Sequence, residues 1–315
     1  MLCRAACRWT GPWRSQAGGF GLTGEPLTLA LQAPIEAALA RLRAGRGVQC
    51  LSEWCFSNLY LFRDVHAYRY LPGHGDWPAI SGRSYDGARH LMPLFEPAQA
   101  PPELLQTLLR GHDHLYPVTR EQAAALGARF AVTESRDDAD YLYAASTFTD
   151  YAGRPLAAKR NQLRQFLAAC QPSARPFDAS LEGAAREVLA GWMADKGKAS
   201  GEADEAACLE AFAHALDFGL QGFVHFDRAR PIGVVLGQRL EPGVYAIRFA
   251  KGLDRHVGIY PYMFQHFCRA FEAHFQQPVR WLNFEQDMGM AGFRRSKLSY
   301  RPAALLSKLR LAPLA

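Results

Sequence analysis

Glu285 and Asp287 stand two residues apart at the close of the strand-like run VRWLNFEQD, so strand alternation turns both carboxylates to one face and Gln286 to the other. Carboxylates that close raise one another's pKa, which provides a general base for an amine nucleophile. The competing reading is that one of them pairs with Arg294, Arg295 or Lys297 and pins the turn MGMAG. Lys297 follows in KLSYRP, a segment with strand-like alternation. A single ammonium there could hold a phosphate, a nucleic-acid backbone or an acceptor carboxylate and, with Arg294 and Arg295, clamp an anion. A solvated basic face is the alternative.

Further candidates lie upstream. Lys159, Arg160 and Arg164 fall within two turns of one helix beside Asn161, with neighbouring residues about 100° apart, which suits either a polyanion or plain solvation. The loop GLDRHVG, from Gly252 to Gly258, opens a helix near Tyr260. Unpaired N–H groups and the positive dipole end of a helix start suit a pyrophosphate; a tight turn is the other reading. Tyr141 and Tyr143 share a strand face and could stack on a base, donate a phenolic proton or simply pack. His112 and His114 share a face in HDHLYPV, but no carboxylate or cysteine stands at ligand spacing, so no metal site is expected. Seven cysteines without a CxxC pair fit reduced thiols. The sequence has no GxSxG elbow, no phosphate-binding P-loop and no Cys/His pair in a nucleophile context.

The elements that would position these groups alternate along the chain. PLTLAL reads as a strand and PIEAALARLR as a helix with Ile35, Leu39 and Leu42 on one stripe. Ser52 stands as N-cap of a short apolar helix, and HAYRYL, WPAIS, RHLMPLF, HDHLYPV and residues 129–134 read as strands with a helix ELLQTLLR among them. PLAAKRNQLRQFLAAC is an amphipathic helix, and QPSARPFD reads as a linker and domain boundary. Helices over 179–195 and 203–218 precede three strands, GFVHFD, IGVVLGQRL and VYAIRFAKG, joined by tight turns.

Charge sharpens the question of partners. The formal charge is +6 over 315 residues, but residues 288–315 carry six cations and no acid, and residues 1–24 carry three more. The body between them is slightly acidic, so a generally basic surface is excluded. No run reaches the ~18–20 uncharged apolar residues of a membrane span. The Arg-bearing opening lacks the apolar centre of a secretory signal and is expected to be a disordered leader outside the fold.

Helices, an antiparallel meander, a loop opening a helix and one more strand is the chain order of GNAT-type acyltransferases. In that fold the fourth strand and the helix after it splay away from their neighbour and hold an acyl-thioester or acyl-tRNA. The stretches SEWCFSNLYLFRD, DYLY, KRNQLRQF and NFEQDMGMAGFRRSKLSYRP resemble a bacterial family of unknown function whose relatives include the soluble C-terminal domain of phosphatidylglycerol lysyltransferases. The resemblance covers about residues 26–302 and implies an α/β fold with mixed sheets, built as two fused GNAT-type domains, 25–170 and 171–315. It implies a cytoplasmic transferase moving an acyl or aminoacyl group from acyl-CoA or aminoacyl-tRNA, as co-substrate rather than resident cofactor, to an amine or hydroxyl. Asp287 or Glu285 would be the base, and Lys297 with its arginines the clamp. A non-catalytic binder of a nucleotide, tRNA or envelope precursor is the second reading; lipid aminoacylation at a membrane surface is the third.

Overall fold

The computed structural model describes residues 24–73 and 77–314, so the expected leader, apart from Gly24, lies outside the described residues. The first elements are β1 (Glu25–Pro26), α1 (Gln32–Arg43), α2 (Phe56–Leu61), β2 (Arg69–Leu71), β3 (Ala79–Arg83) and β4 (Arg89–Pro93). They continue with α3 (Pro102–Leu109), β5 (His114–Val118), α4 (Arg120–Leu126), β6 (Phe130–Glu134), β7 (Asp140–Ala144), α5 (Ser146–Asp150) and α6 (Ala157–Ala169). Then come β8 (Pro172–Pro176), α7 (Glu182–Asp195), α8 (Glu205–Ala213), β9 (Leu220–Asp227), β10 (Arg230–Glu241) and β11 (Val244–Gly252). The chain closes with α9 (Ile259–Phe275), β12 (Trp281–Asn283), α10 (Ala291–Leu298), β13 (Ala304–Leu306) and β14 (Leu309–Pro313).

Two seven-stranded mixed sheets result, ordered β1-β2-β3-β4-β5-β14-β6 and β13-β7-β12-β11-β10-β9-β8. This is the expected α/β class with mixed sheets. The meander β9–β11 is apolar on both faces because both are covered. Val224, Val234, Leu236 and Phe249 join the cluster built by α1, α7 and α8, while Phe223, Val235, Tyr245 and Ile247 face α9. The α9 residues Phe264, Phe267 and Phe271 form the matching helical stripe. Gly237 lets it settle: a Cβ there would stand 2.9 Å from the Phe267 ring.

Four expectations change. Ser52 does not cap a helix: α2 starts at Phe56 behind Cys55, and the Ser52 N–H and hydroxyl donate to Asp140. PLTLAL is not a strand: β1 stops at Pro26 and Leu29–Leu31 form a 3-10 turn feeding α1. The expected linker QPSARPFD contains β8, whose backbone pairs with β9 from Pro172↔Asp227 to Pro176↔Phe223; an edge strand tolerates prolines because one side needs no ladder partner. KLSYRP is not strand-like, since Lys297 and Leu298 end α10. The halves also exchange strands across residue 171. β7 sits inside the second sheet between β13 and β12, and β14 returns to the first between β5 and β6.

Candidate functional site

β11 and β12 run parallel but pair only at Val244↔Trp281, Tyr245↔Leu282 and Ala246↔Asn283. β11 continues to Gly252, whereas β12 ends at Asn283, so the ladder between them stops there, and the wedge is the place where β11 runs on without that partner. β7 lies against the far side of β12, and its alternation sends Asp140 to one face and Tyr141 and Tyr143 to the other.

On the Asp140 face the ammonium of Lys308 lies 2.6 Å from Asp140 Oδ1, 2.5 Å from Glu53 Oε1 and 2.7 Å from Gln286 Oε1. Both Lys308 and Asp140 are wholly buried. Ser52 N–H and Asn283 Nδ2 donate to Asp140 Oδ2 at 2.8 and 2.9 Å. Burial alone would raise the Asp140 carboxyl, but Lys308 and these donors outweigh it and hold it below the usual range; at Glu53 burial wins and the carboxyl sits above it. Arg248 of β11, its side chain buried, pairs with Glu285 and donates to the Ser52 carbonyl at 2.5 Å. One dry network therefore ties β11, β7, the segment after α1 and the crossover into β14.

The tyrosine face carries the C-terminal motif. Asp287 is buried and accepts from Tyr141 OH at 2.5 Å, from Arg294 Nε at 2.8 Å and from Gly289 N–H at 2.9 Å. Burial would raise its pKa, yet the bonds from Arg294 and Tyr141 prevail and hold it at about 2. Arg294 also reaches Asp137 at 2.5 Å. The two carboxylates expected to perturb each other thus have separate cations, because the strand ends before them and Glu285 and Met288 adopt left-handed backbone, with φ of 56° and 53°. Asp287 is therefore not the raised general base expected of it. Lys297 Nζ donates to the carbonyls of Phe284 (2.5 Å), Glu285 (3.1 Å) and Gln286 (2.6 Å). Burial pushes it down to about 8. Its three protons are spent fixing the wall of the wedge, so it is not a free anion clamp. Tyr143 OH donates to the Lys297 carbonyl at 2.7 Å. Arg295 is exposed.

The expected phosphate loop is closed from outside. Gly258, at φ 92°, caps α9, and a Cβ there would stand 2.1 Å from the Gln162 carbonyl of α6. This glycine serves helix-to-helix approach. Gly252 is the last residue of β11, and Tyr260 OH lies 3.3 Å from its N–H and 3.1 Å from Trp192 Nε1. On α6, Lys159 turns inward with its ammonium 3.9 Å from the Tyr300 ring centre, and Arg160 bonds the Tyr151 and Gly153 carbonyls. Asn161 accepts from Arg164 at 3.3 Å. Lys159 and Arg160 do not join Asn161 in a polyanion contact; they lock α6 to its surroundings.

Sequence reasoning assigned no role to Glu53, Asp140, Arg248 or Lys308. Two of them lay inside quoted motifs, Glu53 in SEWCFSNLYLFRD and Asp140 in DYLY, where a charge embedded in an apolar run was the available signal.

A family model described as "Phosphatidylglycerol lysyltransferase, C-terminal" matches residues 49–310. A conserved protein of unknown function from Bacteroides thetaiotaomicron is similar in structure, with 21% identity, TM-score 0.75, and coverage of 93% of this chain and 99% of that one. So is the C-terminal domain of a putative lysylphosphatidylglycerol synthetase from Agrobacterium fabrum, at 11% identity, TM-score 0.61, and 89% and 92% coverage. L-PGS from Bacillus licheniformis follows at 15% identity, TM-score 0.60, and 93% and 94% coverage. No curated protein matches by sequence. Among the described residues no helix is long and apolar enough to cross a membrane.

Proposed function

The chain belongs to the phosphatidylglycerol lysyltransferase C-terminal family, and on that premise we propose that it transfers an aminoacyl group from aminoacyl-tRNA to an amine or hydroxyl acceptor. The observation that carries this reading is the end of the β11–β12 ladder at Ala246 and Asn283. A wedge where one strand runs on without its partner can seat an extended ester beside the backbone. The donor is read as tRNA rather than acyl-CoA because α6 covers the start of α9, where a pyrophosphate would need open N–H groups. Exposed Arg295 and Arg301, in the same segment as Lys297, would meet the phosphates of the acceptor stem. The acceptor nitrogen or oxygen attacks the ester carbonyl, the bond to the ribose oxygen breaks, and the acceptor's proton passes to that leaving oxygen. Catalysis is by positioning: Lys297 and the Asp287–Arg294 pair hold the wall against which the ester lies.

The test is thermal shift and label transfer with charged tRNA, uncharged tRNA and acyl-CoA, each with small amines and with anionic vesicles as acceptors. Transfer from charged tRNA alone is expected, with affinity falling steeply as salt rises. Turnover of acyl-CoA without any response to charged tRNA would overturn the donor assignment. A second reading, a binder without turnover, is favoured by one fact: Asp287, Glu285 and Lys297 are each engaged within the chain. Binding of charged tRNA with no transfer to any acceptor would select it.

A further inference from the structure

Cys170, Asp227 and His256 come from three separate elements and present a thiol, a carboxylate and an imidazole whose ligand atoms all lie within 4.8 Å of one another. We propose that these three residues bind a zinc ion, with a fourth position open to water.

The geometry suits the ion. Cys170 Sγ stands 3.4 Å from His256 Nδ1. Zinc bonds of about 2.3 Å to sulfur and about 2.0 Å to nitrogen at a tetrahedral angle need a separation of about 3.5 Å. The donor set of one thiolate, one imidazole and one carboxylate is borderline-soft, which selects zinc or cobalt over magnesium or calcium. A divalent ion would also balance the two anionic ligands.

The frame is already fixed by backbone bonds. Cys170 follows the last residue of α6, and its N–H donates to the Phe166 carbonyl at 2.9 Å. The next residue, Gln171, donates its N–H to Asp227 Oδ1 at 2.9 Å and accepts from Arg228 N–H at 3.0 Å. That orients Asp227 as an outer partner orients a metal ligand, and leaves Oδ2 for the ion. His256 sits in the turn before α9, with its N–H on the Leu253 carbonyl at 3.0 Å. Arg255 Nε donates to the far ring nitrogen of His256 at 3.3 Å; zinc on Nδ1 puts a proton on that nitrogen, so binding requires the exposed Arg255 to release it. All three ligands are partly exposed, so the ion has an entry path and a water site. Occupied, the site would staple the end of α6, the end of β9 and the turn that starts α9.

The experiment is metal titration of the full chain. After chelation and dialysis, cobalt should bind at one equivalent per chain with a thiolate-to-metal charge-transfer band and tetrahedral visible bands, and zinc should displace it. Cys170→Ser should abolish the charge-transfer band, His256→Ala should weaken zinc at least tenfold, and Cys3→Ser with Cys7→Ser should leave both unchanged. Near-ultraviolet circular dichroism in the absence of metal checks that each variant is folded. The inference is overturned by binding well below one equivalent in the wild-type chain, or by a cobalt spectrum that survives Cys170→Ser.

Discussion

The two faces of β7 solve the same problem, holding charge beside the wedge, in opposite ways. On the Asp140 face Lys308 is wholly out of water and its partners are carboxylates from distant elements, Glu53 and Asp140. On the Tyr141 face Asp287 is buried but its cation, Arg294, keeps 28% of its side-chain exposure. The dry face has no water to fall back on, so its members are mutually dependent. The wetter face can lose a partner and rehydrate. The difference marks the first as a clamp between the halves and the second as the adjustable wall of the wedge.

The largest test of that contrast is Lys308→Met. It leaves Glu53 and Asp140 facing each other without a cation, and urea unfolding should show a loss of about 3–5 kcal/mol. Adding Glu53→Gln and Asp140→Asn to it should recover most of the loss. A cost below about 1 kcal/mol for the single change would erase the distinction between the faces.

Asp287→Asn should cost less, about 2 kcal/mol, since the amide keeps an acceptor for Tyr141 while losing the charged bonds to Arg294. The pH dependence fixes the cause. The folded pKa is depressed to about 2 from 3.8, so the stabilisation is present above pH 4 and is lost as pH falls toward 2. The gap between wild type and Asp287→Asn should therefore close over that window; a gap that persists at pH 2 would assign the effect to packing. The smallest effect is expected of Lys159→Met, which removes the ammonium over Tyr300 and keeps the aliphatic stem, at about 0.5–2 kcal/mol in the same unfolding measurement.

Much of the architecture was legible locally. The meander, the α9 stripe and the helices α6 and α7 follow from period and turn residues. Reading the site failed at specific points. Glu285 and Asp287 were placed on one face by strand alternation, but the strand ends at Asn283, and left-handed backbone at Glu285 sends it to Arg248. Gly258 looked like a phosphate turn because its neighbour in space, Gln162, lies almost a hundred positions away in sequence. Of the six cations in the last 28 residues, Arg294, Arg295 and Lys297 looked like an anion clamp or like partners of Glu285 and Asp287. Arg294, Lys308 and Arg310 neutralise Asp137, Asp287, Glu53, Asp140, Asp86 and Asp138, and Lys297 serves backbone carbonyls.

The sequence by itself determined the long helices and the meander strands, because those depend on neighbours within one or two turns, and it determined that the basic surplus sits at the end of the chain. Only the tertiary structure decided what that surplus does. Pairing is a matter of distances of a few ångströms between residues far apart in sequence. The returns of β7 and β14 to the opposite sheets set those distances.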